Sequence, residues 1–278
     1  MLKTDNKFLV KGLHKLFNLI LSSGNFPSSW KSTILVPLHK SGDKSEPSNY
    51  RAIAISSCLS KLFTSIMNDR LTDYLENNNL LTELQFGFRK NRRTSDAIFL
   101  LKTAVDKKLY GKNVNESKEK RLYCCFVDFK KAFDSVWRDA LFLKLQNTGI
   151  SGNFYEIIKS MYSDQHYKVK LANGITEGFQ PTSGVKQGCN MSPTLFNIFL
   201  NDLPQSFCKT EDNPVMFGDR PVNCIQYADD LVLISESADG LQNCLNKLSS
   251  YCESWNLIVN IRKTKIMVFN TSNRLIKM

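Results

Sequence analysis

Residues 224–234 read CIQYADDLVLI, and this pattern sets the architecture of the surrounding chain. Two apolar runs, 224–227 and 231–234, flank Ala228, Asp229 and Asp230, which predicts a β-hairpin with two carboxylates at its tip. Adjacent acids in an apolar hairpin repel each other and lose hydration, so a nearby cation would favour keeping them together. The alternative interpretation is an ordinary turn in which both acids face water.

A second apolar run, residues 122–127, ends at Asp128 and predicts a buried strand. One helix is expected after it, through Lys144, and another over about 239–255. Strand, helix, hairpin, helix and a last strand together predict an antiparallel α+β layer. Asp128 is then the natural third carboxylate, because hard Mg²⁺ binds carboxylate oxygens. Two such ions about 4 Å apart would contact both the attacking and the leaving oxygen of a phosphoryl transfer.

The front of the chain predicts helices around a long hairpin. Apolar residues recur at helical spacing over 9–21, where Gly24 and Pro27 end the helix. Extended runs at 33–38 and 50–55 predict two paired strands, and a helix is expected over about 59–76. A basic loop follows at 85–93, and the polar segment 111–120 is expected to join two lobes.

Charge favours an anionic partner. The 278 residues carry a net charge of +11, and residues 1–120 hold 20 Lys or Arg against 11 Asp or Glu, a net +9. Such a basic region is typical of proteins that bind nucleic acid, although a solvated basic surface without a partner stays open. A hydrophobic content of 42% excludes a disordered basic tail.

Targeting signals are not evident in the sequence. No apolar run approaches the roughly 18–20 residues of a membrane span, and lysines occupy the N-terminal segment where a signal peptide would be apolar. We therefore expect an intracellular protein of the cytoplasm or nucleus, neither secreted nor bound to a membrane. The eight cysteines form no C-x-x-C pair, which predicts reduced core thiols rather than a zinc site or a disulfide framework.

Three segments resemble successive polymerase motifs of reverse transcriptases: FVDFKKAFD (126–134), SGVKQGCNMSP (183–193) and YADD (227–230). They are most similar to the enzymes of non-LTR (LINE-type, jockey-like) retrotransposons, and the resemblance extends over about 13–269. It implies a right-hand polymerase fold of the α+β class. The fingers would be residues 1–120 and 150–183, and the palm 121–149 and 184–278. The chain would end before the primer grip and thumb, as in a truncated copy or a fragment.

The resemblance also implies a catalytic centre. Asp128, Asp229 and Asp230 would be the catalytic residues and hold two Mg²⁺ ions, for which Mn²⁺ is a possible substitute. The backbone carbonyl of Phe129 would assist them as a metal ligand. The partners implied are an RNA template, a DNA primer and deoxynucleoside triphosphates.

Further residues match nucleotide-binding and template-binding positions of the family. Lys40 and Arg51 would hold the triphosphate, and Lys263 would protonate the leaving pyrophosphate. Phe133 would lie against the sugar and exclude a 2′-hydroxyl, although an aromatic residue at this spacing also fits a core position. Gln187 and Gly188 would lie beside the nucleotide, and Ser192 would cap the next helix. Contacts to the template backbone are implied for Arg89, Lys90, Arg92 and Arg93.

Three functional hypotheses remain open. The first is an RNA-directed DNA polymerase core, and the second is a catalytically silent, nucleic-acid-binding remnant of such an enzyme. The third is an RNA-templated RNA polymerase or another two-metal phosphoryl-transfer enzyme. The bulky Phe133 and the Ala-Asp-Asp tip argue against this third hypothesis.

Overall fold

A computed structural model describes residues 6–111, 120–207 and 209–271. The chain divides into two compact units. The first comprises Met1–Leu71 and Arg138–Ser192, and the second comprises Thr72–Trp137 and Pro193–Met278. The segment 111–120, predicted to join two lobes, lies almost entirely outside the described residues.

Eight α-helices and ten strands lie within the described residues. The helices are α1 (Lys7–Ser23), α2 (Cys58–Asn77), α3 (Thr94–Tyr110), α4 (Ala132–Ser135), α5 (Arg138–Asn147), α6 (Gly152–Tyr162), α7 (Ser192–Phe199) and α8 (Ala238–Trp255). The strands are β1 (Ser32–His39), β2 (Tyr50–Ile55), β3 (Arg121–Val127), β4 (His166–Leu171), β5 (Gly174–Ile175), β6 (Val215–Phe217), β7 (Arg220–Val222), β8 (Cys224–Tyr227), β9 (Asp230–Ser235) and β10 (Lys265–Asn270). Among the helices of the described part of the chain, none has both the length and the apolar character that a bilayer span requires.

The first unit is built on a four-stranded sheet in the order β2-β1-β4-β5. Strands β1 and β2 pair antiparallel, as the sequence predicted, and β1 pairs with β4 in parallel. An aromatic cluster lies in its core, where the Phe17 and Phe63 rings are 5.3 Å apart and the Phe26 and Trp30 rings 5.5 Å. Helix α1 ends at Gly24, which has a left-handed φ of 68°, so the predicted stop is confirmed.

The second unit contains the predicted antiparallel sheet, in the order β10-β3-β9-β8. Its alternating pattern places Leu122, Cys124 and Ile234 on one face, where they are buried together with Ala104 of α3. Helix α8 also packs against β9 and β3. The hairpin of β8 and β9 is confirmed and carries Ala228 and Asp229 in its loop.

The single helix expected between Asp128 and Lys144 is wrong. The chain forms the short helix α4 and then the separate helix α5. Val136 lies between them with φ −53° and ψ 119°, a non-helical conformation in which its side chain becomes completely buried. Burial of this β-branched residue therefore outweighs continuation of the helix.

None of the described cysteines forms a disulfide, and all except Cys58 are buried. Burial, with the charge of Cys125 as a smaller cause, raises the pKa of Cys124 to about 12. Burial likewise raises the pKa of Cys125 to about 11. These two thiols are un-ionised core groups at neutral pH.

Candidate active site

The three candidate catalytic carboxylates lie at one end of the second unit's sheet. Asp128 directly follows β3, Asp229 lies in the β8–β9 loop, and Asp230 begins β9. The register pairs Val127 with Leu231, so Asp128 and Asp230 stand one step further along the same two neighbouring strands. The sheet therefore places all three acids at the ends of adjacent strands.

The surroundings of Asp230 raise the pKa of its carboxyl group. Partial burial raises this pKa, and the negative charges of Asp229 and Asp128 raise it further. A cation here would relieve the repulsion, and carboxylate oxygens are the donors that Mg²⁺ prefers. Within residues 6–111, 120–207 and 209–271, no three His, Cys, Asp or Glu side chains are gathered into a coordinating group. The donor set fits a divalent ion in its chemistry, and binding would require the side chains to converge.

Backbone hydrogen bonds attach Asp128 to the segment 258–264. The Asn260 N–H donates to the Asp128 carbonyl at 2.7 Å, and the Asp128 N–H donates to Thr264 Oγ1 at 3.2 Å. Phe129 is buried and pairs with Val259 in a single antiparallel bridge. Lys263, next to Thr264, is exposed. The metal contact of the Phe129 carbonyl and the proton transfer by Lys263 stay predictions.

The loop that carries Asp229 has an unfavourable backbone conformation. Ala228, its first residue, has φ 58°, in the left-handed region where glycine is preferred. Such a conformation costs a residue with a Cβ roughly 1 kcal/mol or more. Gln85 satisfies both backbone polar groups of Ala228: its Oε1 accepts from the Ala228 N–H at 2.9 Å, and its Nε2 donates to the Ala228 carbonyl at 3.2 Å.

Gly87 approaches the same loop so closely that only glycine fits. A Cβ added there would overlap the Ala228 nitrogen and lie 2.8 Å from the Ala228 Cα. The Gly87 N–H donates to Gln85 Oε1 at 2.7 Å, and the Gly87 carbonyl accepts from Asn197 Nδ2 at 2.8 Å. Gln85 and Asn197 were not predicted as site residues, because an amide side chain carries no signal of this kind by itself.

Phe133 lies in an aromatic group of the second unit. Its ring stacks on Phe196 with centroids 4.5 Å apart, and it meets Phe88 edge-on at 6.1 Å. Phe133 is half-buried, whereas Phe88 is 49% exposed and has a left-handed φ of 59°. The ring of Phe133 is therefore held in a defined position, and its contact with a sugar stays a prediction.

Lys40 and Arg51 lie on the β1–β2 hairpin of the first unit, and both are exposed. The Lys40 N–H donates to the Asn49 carbonyl at 2.9 Å, which continues the ladder beyond β1. Arg51 lies opposite Leu38, two residues before Lys40, so the two cations occupy diagonal positions on one face of the hairpin. This placement suits two cations that act on the same polyphosphate.

Gln187 and Gly188 lie against β2, the strand that carries Arg51. The Ala54 N–H donates to the Gln187 carbonyl at 3.1 Å. Gly188 has φ 101°, and a Cβ there would be 3.0 Å from the Ala54 carbonyl oxygen, so this turn requires glycine. The predicted cap at Ser192 is wrong: Ser192 is the first residue of α7, and its hydroxyl donates to the Lys186 carbonyl at 2.7 Å.

Arg138 binds the backbone of the segment 181–184, which precedes Gln187 in the chain, and it was not predicted as a site residue. Its guanidinium donates to the carbonyls of Pro181, Ser183 and Gly184 at 2.9–3.1 Å. It also donates to the Tyr162 carbonyl and lies 5.3 Å from the centre of the Tyr162 ring. Arg138 donates as well to the side-chain Oε1 of Gln165 at 2.9 Å. Most of its acceptors are backbone carbonyls, which no residue pattern in the sequence identifies.

Arg89 is buried and forms intramolecular contacts. Its Nε and Nη2 donate to the two carboxylate oxygens of Glu76 at 2.9 and 2.6 Å, and Nη1 donates to the Thr82 carbonyl at 2.6 Å. The hydrogen bond from Arg89 lowers the pKa of Glu76. The guanidinium thus links α2 to the loop before α3, and its template contact stays a prediction.

The neighbouring basic residues differ in their surroundings. Lys90 pairs with Asp73 at 2.7 Å on the surface. Arg92 contacts the carboxylate of Glu83 at 2.5 Å and lies 5.5 Å from the centre of the Phe86 ring. Arg93 is exposed before α3, where its N–H donates to Asp96 Oδ2. Phosphate contacts by these three residues stay predictions.

Replacing Arg89 by alanine should lower the free energy of unfolding by about 2–3 kcal/mol. Losing one partner of a buried pair costs about 3–5 kcal/mol. We expect a loss at or below the lower end of this range because the Glu76 side chain is 26% exposed. Denaturant unfolding measures the change, with Arg93→Ala as the control, expected within about 0.5 kcal/mol of the parent. Unchanged stability of Arg89→Ala would show that the contact to Glu76 contributes little.

Comparison with known proteins identifies the class. The family model described as "Reverse transcriptase (RNA-dependent DNA polymerase)" matches residues 38–275. The chain belongs to this family. The predicted similarity to enzymes of non-LTR retrotransposons is confirmed by its relatives.

A probable RNA-directed DNA polymerase from transposon BS of Drosophila melanogaster is 32% identical over 258 residues, covering 90% of this chain and 27% of the relative. The RNA-directed DNA polymerase from mobile element jockey of the same species is 27% identical over 262 residues, covering 91% and 27%. The chain therefore spans about a quarter of these relatives. Telomerase from Candida albicans has a similar fold, with TM-score 0.65 and 16% identity over 97% of this chain and 47% of the telomerase chain.

Proposed function

We propose that this chain is the catalytic core of an RNA-directed DNA polymerase that adds deoxynucleotides to a DNA primer on an RNA template. The observation that carries the proposal is the placement of Asp128, Asp229 and Asp230 at adjacent strand ends, within a chain of the reverse transcriptase family. The raised pKa of Asp230 supports it, because a cluster of mutually repelling acids is suited to bind cations.

The three carboxylates and the Phe129 carbonyl would hold two Mg²⁺ ions, with Mn²⁺ as a substitute. Bound there, the ions would supply Lewis-acid stabilisation of the attacking and leaving oxygens. The chain's own residues bind and orient the substrates. Lys40 and Arg51 offset the charge of the triphosphate, and Lys263 donates a proton to the departing pyrophosphate.

The right-hand division stays part of this proposal. Residues 1–120 and 150–183 would act as fingers, and residues 121–149 and 184–278 as palm. The basic front half, with its net charge of +9, supports binding of a nucleic acid by the fingers. The relatives are more than three times as long as this chain, so contributions of their further segments to the whole protein's activity belong to the same proposal.

Primer extension tests the proposal directly. The 278-residue chain is incubated with an RNA template, an annealed DNA primer, the four deoxynucleoside triphosphates and Mg²⁺. We expect template-dependent extension that stops when the metal is chelated. Salt-dependent binding of the primer-template without extension would overturn the proposal in favour of the catalytically silent remnant.

Replacing Phe133 by valine should raise the ratio of ribonucleotide to deoxyribonucleotide incorporation at least about 10-fold, equivalent to roughly 1.4 kcal/mol in transition-state energy. The smaller side chain would leave room for a 2′-hydroxyl beside the sugar. Competitive single-nucleotide extension measures the ratio. Phe142→Val, in the first unit, is the matched control and should not alter it, because Phe142 packs against Tyr155 and Tyr162. An unchanged ratio in an active Phe133→Val variant would assign Phe133 to the core.

A further inference from the structure

The loop 84–88 lies alongside the hairpin that carries the catalytic acids. The Gln226 N–H donates to the Leu84 carbonyl at 2.8 Å, and the Phe86 N–H donates to the Gln226 carbonyl at 2.9 Å. These two hydrogen bonds form a short parallel bridge next to β8. The loop therefore reaches the end of β8 in a fixed register, which brings Gln85 to the residue after the strand.

Gln85 is only 1% exposed, and both polar atoms of its amide form hydrogen bonds at this point. Its Oε1 accepts from the N–H groups of Gly87 and Ala228, and its Nε2 donates to the Ala228 carbonyl. One side chain thus fixes both peptide groups of the residue that precedes Asp229. Because Ala228 has a left-handed φ that the loop would not favour alone, these hydrogen bonds select its conformation.

A third element, helix α7, holds Gly87, whose N–H donates to Gln85. Asn197 of α7 is 2% exposed, and its Nδ2 donates to the carbonyl of Gly87. Gly87 is therefore held from both sides, by Gln85 through its N–H and by Asn197 through its carbonyl. The position of the Ala228 peptide depends on this chain of buried amides.

We propose that Gln85 is a positioning residue for the polymerase reaction: it fixes the Ala228 peptides and thereby the direction in which Asp229 and Asp230 point. Asn197 supports it through Gly87. The inference rests on the proposed function only for its catalytic consequence, because the conformational role of Gln85 is independent of any activity. A displacement of about 1 Å at a catalytic group can cost on the order of 100-fold in rate.

The test uses Gln85→Met, which keeps the length of the side chain and removes all three hydrogen bonds. Asn223→Leu, which keeps the branched shape of the asparagine side chain and removes its amide, is the matched control. Asn223 is also a fully buried amide, and its Nδ2 donates to the carbonyls of Asp212 and Ile234 at the opposite end of β8. Both variants lose amide hydrogen bonds from the same hairpin, but only one loses them at the catalytic loop.

Hydrogen exchange of residues 227–230, read by mass spectrometry, gives the readout that does not need activity. We expect exchange in this segment at least about 10-fold faster in Gln85→Met than in the parent, equivalent to roughly 1.4 kcal/mol, and unchanged in Asn223→Leu. Exchange at the parental rate in Gln85→Met would overturn the inference. Fast exchange in Gln85→Met alongside a parent without any primer extension would support the positioning role and overturn the proposed function.

Kinetics give the second readout. In Gln85→Met we expect kcat to fall roughly 100-fold and the Mg²⁺ concentration for half-maximal rate to rise, while KM for the nucleotide changes little. When the variants are compared at the same fraction of folded protein, the control should keep the Mg²⁺ dependence of the parent. Equal losses of kcat in both variants would indicate general destabilisation and overturn the inference.

A second-site change tests the same role in Gln85→Met itself, and if Gln85→Met does not fold the double variant is expected to do so. Ala228→Gly removes the need to hold a left-handed residue, because glycine adopts positive φ freely. The double variant should therefore unfold at a higher temperature than Gln85→Met and recover part of kcat. A double variant no more stable than Gln85→Met would contradict the role assigned to Gln85.

Discussion

Asp229→Asn should abolish Mg²⁺-dependent primer extension, with a loss of at least about 1000-fold in rate. Metal ions supply several kcal/mol of charge stabilisation in such reactions, and about 4 kcal/mol corresponds to this factor. The substitution keeps the shape of the side chain and removes one negative charge from a site where the acids already repel each other. The fold should thus be retained, with an unfolding temperature equal to that of the parent or higher.

Single-turnover extension and thermal unfolding of the same preparation separate the two effects. Asp219→Asn is the matched control. Asp219 is exposed in the turn between β6 and β7, so the same charge change there should leave extension unaltered. Parental extension rates in Asp229→Asn would remove this residue from the catalytic set.

Gly87→Ala should lower both stability and activity although it adds a single methyl group. The new Cβ would overlap the backbone nitrogen of Ala228, so either the loop 84–88 or the β8–β9 hairpin must move. Overpacking of this kind costs typically 1–3 kcal/mol, and we expect about 3 kcal/mol because the obstructing atoms are backbone. A hairpin displaced by about 1 Å would also lose on the order of 100-fold in rate.

Gly12→Ala gives the matched control with the opposite sign. Gly12 lies within α1 and has open space around its Cα, so alanine there should stabilise the chain by about 0.5–1 kcal/mol. Denaturant unfolding and primer extension measured for both variants test the contrast. Parental stability of Gly87→Ala would show that the loop can retreat without cost.

The architecture near the acids could be predicted because it follows from strong local patterns. The apolar run before Asp128 and the two runs around Ala228 each had one interpretation, as buried strands. Because β3 and β9 pair antiparallel, the residue after the end of β3 lies beside the first residue of β9. Asp128 and Asp230 therefore occupy neighbouring positions. Local apolar patterning therefore predicts the strands at whose ends these acids lie, whereas the pairing of β3 with β9 is what makes Asp128 and Asp230 neighbours.

The contacts that hold the acids in place depend on residues far apart in the chain. Gln85 is an ordinary amide within a basic loop, and its role arises only when β8 and the loop 84–88 lie side by side. Arg89 lies in a basic loop and matches a template-binding position, but its guanidinium pairs with the carboxylate of Glu76 on α2. Local sequence determines which residues are charged or polar, whereas long-range packing determines which of these charges remain available to a ligand.

The left-handed Ala228 has a consequence for the order of folding. A β-hairpin whose loop lacks glycine at a positive-φ position closes unfavourably as an isolated segment. Here the compensating hydrogen bonds come from Gln85, 143 residues earlier in the chain. Contacts of such large separation form slowly, because the intervening chain must first be ordered. We therefore expect the β8–β9 hairpin to be among the last parts of its unit to become native, so that the positions of Asp229 and Asp230 would be fixed late in folding.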